Sequence, residues 1–279
     1  MKETGKIIQE LRVQAGYTQK ELAEMLHITD KAVSKWERGI SLPDVSLLPK
    51  LSLLLDTDME ILLTESAAQN EWIGLIDIHG CDFSRKIFDK PLVYYLLSHF
   101  LLLGITRIHI LTDEYNHSYL ESSVFKTLGF DFSFTIPTGH PLMILNRPWF
   151  LFGSDLTRQF RGAMLSGKNM KLVPQRQEAV FYFSQEVEQY FSDPFHFDRS
   201  TVSKTLGRGM VCLNMDDDET ILDAAAFVRT YQQNSKLLIA SLEEIAYQKK
   251  LISKQQLLDM TKDVPYWTYL AELTKPEIG

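Results

Sequence analysis

Residues 17–39 read YTQKELAEMLHITDKAVSKWERG, and this stretch decides how the first part of the chain folds. Thr18, followed three residues later by Glu21, forms a capping box: the hydroxyl accepts from a backbone N–H while the carboxylate reaches back to the cap. Leu22, Ala23 and Leu26 give the helix that follows a single apolar face. His27-Ile28-Thr29 allows only a tight turn, after which Thr29 can cap a further helix that Gly39 stops. In that helix Val33 and Trp36, three apart, face inward. Lys31, Ser34, Lys35 and Arg38, at i, i+3, i+4 and i+7, are left on the opposite face. Upstream, Ile7, Ile8, Leu11 and Val13 predict a first helix that stops near Gly16. Downstream, Pro49 lies near the start of a fourth, where a missing N–H is tolerated.

A helix with hydroxyl and cationic side chains on one face, held by a packed helix across a tight turn, fits the major groove of DNA and meets the phosphates beside it. The competing reading is a solvated face of a small helical bundle. YTQKELAEMLHITDKAVSKWERGISLPDVSLLPKLSLLLD resembles the Cro/repressor (XRE) type of helix-turn-helix over its whole length, through Thr18-Gln19, Ala23, Ile28, Val33, Trp36-Glu37-Arg38-Gly39 and Pro43. The resemblance implies double-stranded DNA as partner. It assigns Gln19 to a phosphate, Lys31, Ser34 and Lys35 to base edges, and Thr29 and Arg38 to the DNA backbone. Asp30 departs from the amide expected there; it either accepts from a cytosine amino group or only caps the helix. His27 reads as a surface or core-edge residue rather than a pH switch.

The whole chain bounds these readings. Its 279 residues are 45% hydrophobic, enough for a real core in one large or two smaller domains. Lys+Arg 29 against Asp+Glu 36 gives net charge -7, so a contact with DNA must come from a local patch. Cys81 and Cys212 are the only cysteines, which suits a reducing cytosol and reads as two core thiols. MKETGKIIQELRV runs directly into amphipathic spacing rather than a leader's apolar stretch. PLVYYLLSHFLLLGI, 91–105, is shorter than a ~20-residue membrane span and reads as a buried helix. No membrane association and a cytoplasmic location are therefore expected.

TESAAQNE, 64–71, is small and polar and marks a boundary between a domain at 1–66 and a second at 71–279. Beyond it WIGLIDI (72–78), TRIHILTD (106–113), WFLFG (149–153), AVFYF (179–183) and MVCLN (210–214) read as strands with helical spacing between them. The predicted fold is an all-α head followed by an α/β layer structure with a mostly parallel sheet. The last strand empties into Asp216, Asp217, Asp218 and Glu219. Four acids at a strand end suit Mg²⁺, or they serve the positive end of the helix that begins there.

Two segments, 86–114 and 206–253, resemble glucose-1-phosphate thymidylyltransferase. The resemblance rests on Asp89-Lys90-Pro91 before Tyr94-Tyr95, Gly104-Ile105, Leu206-Gly207-Arg208-Gly209, Ala224-Ala225-Ala226-Phe227 and Ser241-Leu242-Glu243-Glu244-Ile245-Ala246. It implies the nucleotidyltransferase fold, a relative of the dinucleotide-binding sheet. It also implies a Gly-rich phosphate loop, a lysine and two Mg²⁺-binding aspartates. Here the loop is reduced to Gly80, Asp82 stands at the lysine's position with Arg85 and Lys86 nearby, and the aspartates map to Ser154 and Asn214. Asp155 and Asp216 or Asp217 lie just downstream, and compensation by these displaced acids is the alternative. The expectation is a regulator, a dimer or higher homo-oligomer, whose second domain catalyses nothing, holds no metal or cofactor, and senses a sugar nucleotide or related metabolite or serves assembly. The alternative is a working nucleotidyltransferase with a regulatory head.

Overall fold

The computed structural model describes residues 2–57, 72–153, 155–166, 168–174, 181–184, 187–192, 201–207, 209–262, 264 and 266–273. The linker at 64–71, Ser154, Arg208 and the start of the expected strand at 179–180 lie outside the described residues. The chain divides into two compact units, Met1–Glu71 with Arg158–Gly167, and Trp72–Thr157 with Lys168–Gly279.

The first unit begins with helices α1 (Lys2–Gln14), α2 (Gln19–Leu26), α3 (Asp30–Glu37) and, after a short 3-10 helix at Val45–Leu47, α4 (Leu48–Leu54). The capping box of α2 is present: Thr18 Oγ1 accepts from Glu21 N at 3.1 Å and Thr18 N donates to Glu21 Oε2 at 2.6 Å. Thr29 caps α3, and a proline stands in the first turn of α4. Ile8, Leu22, Val33 and Leu51 are wholly buried and Trp36 is 5% exposed, so the inward face read from sequence is the core. Gly5 permits the closest approach in this unit, since a Cβ there would lie 2.2 Å from the Trp36 carbonyl oxygen. Nothing but glycine lets α1 pass so near the end of α3.

An ion pair pins the same two helices. Arg12 on α1 donates from Nε to Glu37 Oε1 at 2.6 Å and from a terminal nitrogen to Oε2 at 3.1 Å, and its other terminal nitrogen donates to the Tyr17 carbonyl at 2.6 Å. The Gln19 side-chain amide adds a bond to Glu37 Oε2 at 2.7 Å. The Arg12 and Glu37 side chains are 10% and 3% exposed.

The second unit contains a seven-stranded sheet in the order β10-β8-β9-β6-β1-β4-β5. The strands are β1 (Ile73–Asp77), β4 (Arg107–Leu111), β5 (Asp131–Ser133), β6 (Leu142–Leu145), β8 (Met170–Val173), β9 (Phe181–Ser184) and β10 (Val202–Thr205). Only β9 runs against its neighbours, so the mostly parallel sheet expected from sequence is present. Lys86–Ile87 (β2) and Lys90–Pro91 (β3) form a hairpin, and β7 (Trp149–Phe152) pairs antiparallel with β11 (Val211–Asn214) outside the main sheet. The apolar run at 91–105 is helix α5 (Leu92–Leu103), buried from Leu92 through Leu101. It lies so close to β1 that a Cβ on Gly74 would meet the Phe100 ring at 2.8 Å. Among the described residues no helix is long and apolar enough to cross a membrane.

Further helices are α6 (Glu114–Leu120), α7 (Ser123–Thr127), α8 (Leu156–Leu165), α9 (Val187–Ser192), α10 (Asp218–Ser235), α11 (Leu242–Gln248), α12 (Lys254–Thr261) and α13 (Trp267–Leu273). On α10 the buried face is Ile221, Ala224 and Val228, while Leu222 is 69% exposed. Cys81 and Cys212 are half-buried rather than core, and burial pushes both thiols up to about 11.

Two of the motifs quoted for the second resemblance, at 89–95 and 241–246, meet in one buried polar network. Lys90, wholly buried, donates to Asp89 Oδ2 at 2.7 Å and lies 4.4 Å from the centre of the Tyr266 ring. Gln232 donates to the same Asp89 oxygen at 2.9 Å, and Tyr94 donates to Glu243 Oε1 at 2.9 Å. Burial lowers the Lys90 pKa against the pull of Asp89, and burial raises that of Glu243. These residues lock the hairpin and α5 to the later helices.

The Arg12–Glu37 pair yields a test of the first unit. Glu37→Ala strands a buried guanidinium and should cost about 3–5 kcal/mol, whereas replacing both partners by Met and Leu should recover most of that loss. Hydrogen exchange of the α1 and α3 amides reports it. Protection unchanged in Glu37→Ala would mean the pair does not hold these helices.

Candidate functional site

Two regions carry side chains arranged for recognition. The first is the outer face of α3. Lys31, Lys35 and Arg38 are exposed and Ser34 is half-buried, so all four reach the surface of the unit while Val33, Trp36 and Glu37 face inward. Thr29 Oγ1 accepts from Ala32 N at 3.3 Å, which leaves its hydroxyl hydrogen available. Arg38 donates from Nε to the Ser34 carbonyl at 3.2 Å and is exposed. Asp30 Oδ1 accepts from Lys31 N at 2.8 Å, the capping use of that carboxylate. Gln19 gives one amide hydrogen to Glu37, and a second remains for an acceptor outside. The structure thus brings Gln19, Thr29, Lys31, Ser34, Lys35 and Arg38 onto two helix starts and one helix face fixed from beneath by Glu37. His27 is the left-handed C-cap of α2, φ 58°, and exposed. Sequence reasoning missed the Arg12–Gln19–Glu37 network; its signal was an arginine four residues after Ile8 on the apolar face of α1.

The second region lies at the carboxyl ends of β1, β4 and β6. The chain leaves β1 toward β4 and β5 on one side and returns to β6 on the other, so a topological switch point falls between β1 and β6, where open α/β sheets bind ligands. The residues that follow β6 are Asn146 and Arg147. The likeness mapped one implied aspartate to Ser154, after β7; two short apolar runs, 142–145 and 149–152, follow one another there, and only pairing tells them apart. β7 is not in the main sheet. It pairs antiparallel with β11, Phe152 opposite Val211 and Trp149 opposite Asn214, so the ends of these two strands point in opposite directions.

The loop after β1 is satisfied from within. Gly80, φ 70°, donates its N–H to Asp113 Oδ2 at 2.8 Å. Phe83 N donates to Asn116 Oδ1 at 3.0 Å and Ser84 N to Asp82 Oδ1 at 2.9 Å. Three backbone donors of the loop are thus held by side-chain oxygens rather than free for a phosphate. His79 stands between two acids. His79 Nε2 lies 3.5 Å from Asp77 Oδ1 and Nδ1 lies 3.7 Å from Asp113 Oδ1. Tyr190 donates to Asp77 Oδ2 at 2.9 Å; burial, then the Asp77 charge, raises its pKa.

The acids at 216–219 serve α10 and two arginines. Asp217 is the N-cap, accepting from Thr220 N at 2.8 Å, and the bonds from Thr220 lower its pKa. Asp218 Oδ1 pairs with Arg85 at 2.7 Å. Asp216 Oδ2 accepts from Asn214 Nδ2 at 2.7 Å and lies 3.7 Å from an Arg147 terminal nitrogen. Asp155 is half-buried, and Ser154 lies outside the described residues. Among the described residues no group of three His, Cys, Asp or Glu side chains is placed to hold a metal ion.

A helix-turn-helix family model, HTH_3, matches residues 8–62. The chain is 44% identical over 69 residues to the HTH-type transcriptional regulator ImmR of Bacillus subtilis (strain 168), a match covering 24% of this chain and 54% of ImmR. It is 36% identical over 81 residues to glucose-1-phosphate thymidylyltransferase of Neisseria meningitidis serogroup A, 28% of each chain. The chain thus spans about half the length of ImmR and little over a quarter of that thymidylyltransferase. Among solved structures, a putative glucose-1-phosphate thymidylyltransferase from Bacillus anthracis in complex with a sucrose covers 57% of this chain and 95% of its own, at TM-score 0.42 and 10% identity. A 4-diphosphocytidyl-2C-methyl-D-erythritol synthase from Anaerococcus prevotii covers 58% of this chain, at TM-score 0.37 and 13% identity. The SPbeta prophage-derived uncharacterized HTH-type transcriptional regulator YonR of Bacillus subtilis (strain 168) is 35% identical over 99 residues, 33% of this chain and 92% of YonR. With that coverage and the match at 8–62, the chain belongs to the helix-turn-helix transcriptional regulators.

Proposed function

We propose that the protein is a sequence-specific DNA-binding regulator that reads the major groove with α3, while its nucleotidyltransferase-like unit binds a sugar nucleotide or related metabolite rather than turning it over. One observation carries the first part: Lys31, Ser34, Lys35 and Arg38 lie on the outer face of a helix whose inner face is fixed by Val33, Trp36 and Glu37. The geometry supports base contacts from Lys31, Ser34 and Lys35, and phosphate contacts from Gln19, Thr29 and Arg38. One head reads few base pairs, so the active species is a two-fold homo-oligomer on a site of matching symmetry.

The non-catalytic reading of the second unit is supported by its loop and crevice. Nucleotidyl transfer develops negative charge on phosphate oxygens, which needs preorganised donors and cations. Here Gly80, Phe83 and Ser84 spend their N–H groups on internal oxygens, and Asp82 stands where the resemblance implies a lysine. Similarity over 81 residues to a thymidylyltransferase favours the second reading, a working enzyme.

Two experiments test these assignments. Lys35→Ala or Ser34→Ala should relax sequence preference with a loss of about 1–3 kcal/mol, while Arg38→Ala should weaken binding to all duplexes and reduce the salt slope. Duplex selection followed by anisotropy titration distinguishes the two patterns; selected-site affinity unchanged in all three variants would remove α3 from the interface. Given dTTP, glucose 1-phosphate and Mg²⁺, the protein should release no pyrophosphate above background. Turnover abolished by Asp155→Ala or Asp216→Ala would establish the enzyme reading instead.

A further inference from the structure

The thymidylyltransferase likeness implies a divalent metal held by carboxylates beside the crevice, and the residues present do not fit one. β6 runs into Asn146 and Arg147, a neutral residue and a cation. The Asp216 oxygen that could face a metal accepts from the Asn214 amide at 2.7 Å and lies 3.7 Å from the Arg147 guanidinium. The other acids are committed: Asp77 to Tyr190 and His79, Asp113 to Gly80 and His79, Asp217 to Thr220, and Asp218 to Arg85.

Two guanidinium groups at the crevice, Arg147 and Arg85, thus face acids that are half or more in water. The Asp216 and Asp218 side chains are 50% and 84% exposed, and the Arg147 and Arg85 side chains 45% and 41%. Ion pairs exposed in this way are weak, because water screens them and ordering long side chains is costly. A phosphate group offers three acceptor oxygens and accepts paired N–H donors from a planar guanidinium, a stronger arrangement than the 3.7 Å approach of Arg147 to Asp216.

We infer that the crevice binds a phosphate-bearing ligand of the sugar-nucleotide class without a metal, with Arg147 and Arg85 supplying the positive charge and Asp216 and Asp218 holding those arginines until the ligand displaces them. This deepens the reading of the second unit as a binding domain and rests on it. It also places the exchange at the start of α10, since Asp218 is that helix's first residue and Asp217 its cap. Ligand binding therefore changes the charge pairing at a helix terminus.

Isothermal titration of the full chain with dTDP-glucose, in EDTA and in Mg²⁺, tests the inference. The two dissociation constants should agree. Arg147→Ala and Arg85→Ala should each weaken binding by about 10-fold or more, the loss expected for a charged hydrogen-bonding group, with Arg147→Lys recovering part of it. Asp216→Ala should tighten binding by removing the internal competitor, a gain that misfolding cannot imitate. Binding that requires Mg²⁺, or binding indifferent to Arg147, Arg85 and Asp216, would overturn the inference and leave the sensing reading standing. If dTDP-glucose, UDP-glucose, dTTP and inorganic phosphate all fail to bind, the sensing reading falls too.

Discussion

The first unit depends on one buried ion pair. Arg12 on α1 donates two hydrogen bonds to Glu37 at the end of α3, and Glu37 also accepts from the Gln19 amide. Burying both charges is costly, and their attraction offsets that only when the geometry is good and the remaining donors are used. Here Arg12 spends its other terminal nitrogen on the Tyr17 carbonyl, at the mouth of the turn into α2. A single carboxylate thus fixes the orientation of α3 about its own axis, its distance from α1, and the start of α2. Gly5 removes the side chain that would keep α1 from closing on Trp36. With that inner face fixed, Lys31, Ser34 and Lys35 have a defined presentation, which direct reading of base edges requires.

The second unit follows a different rule, in which charges that could meet a ligand are matched internally. Carboxylate and amide oxygens occupy the loop's backbone donors, and arginines occupy the acids at the start of α10. Such a crevice is stable without ligand, and it can exchange partners at modest cost because most of these pairs are partly in water. Catalysis asks for the opposite condition, donors held unsatisfied and aimed at charge that develops in the transition state. The proposal of binding without turnover follows from that contrast. The part-buried bond of Gln232 to Asp89 and the buried bond of Tyr94 to Glu243, by comparison, join residues far apart along the chain.

Much of this was legible in the sequence, and what was not has physical reasons. The caps of α2 and α3, the inward Val33 and Trp36, the buried α5 and strands β1 and β4 all follow from periodicity and local hydrogen-bonding chemistry, which act over a few residues. Asp217 likewise takes the capping role that Asp favours before an apolar helix. β6 was missed because PLMIL is too short to distinguish a central strand from a loop, and its neighbour WFLF carries the same apolar signal. That omission hid Arg147. The Arg12–Glu37 and Arg147–Asp216 pairs join residues distant in sequence, and no local pattern announces a partner 25 positions away.

The account joins a DNA-reading unit and a metabolite-binding unit in one regulator, and such a link has a thermodynamic signature. If a sugar nucleotide shifts the protein between states that differ in affinity for DNA, the duplex must shift affinity for the sugar nucleotide by the same factor. The most direct measurement is fluorescence anisotropy of a selected duplex titrated with the full chain in EDTA, with and without saturating dTDP-glucose. The account predicts a change in the dissociation constant of at least about 5-fold. Equal affinities with dTDP-glucose bound, or no specific duplex binding at all, would contradict it.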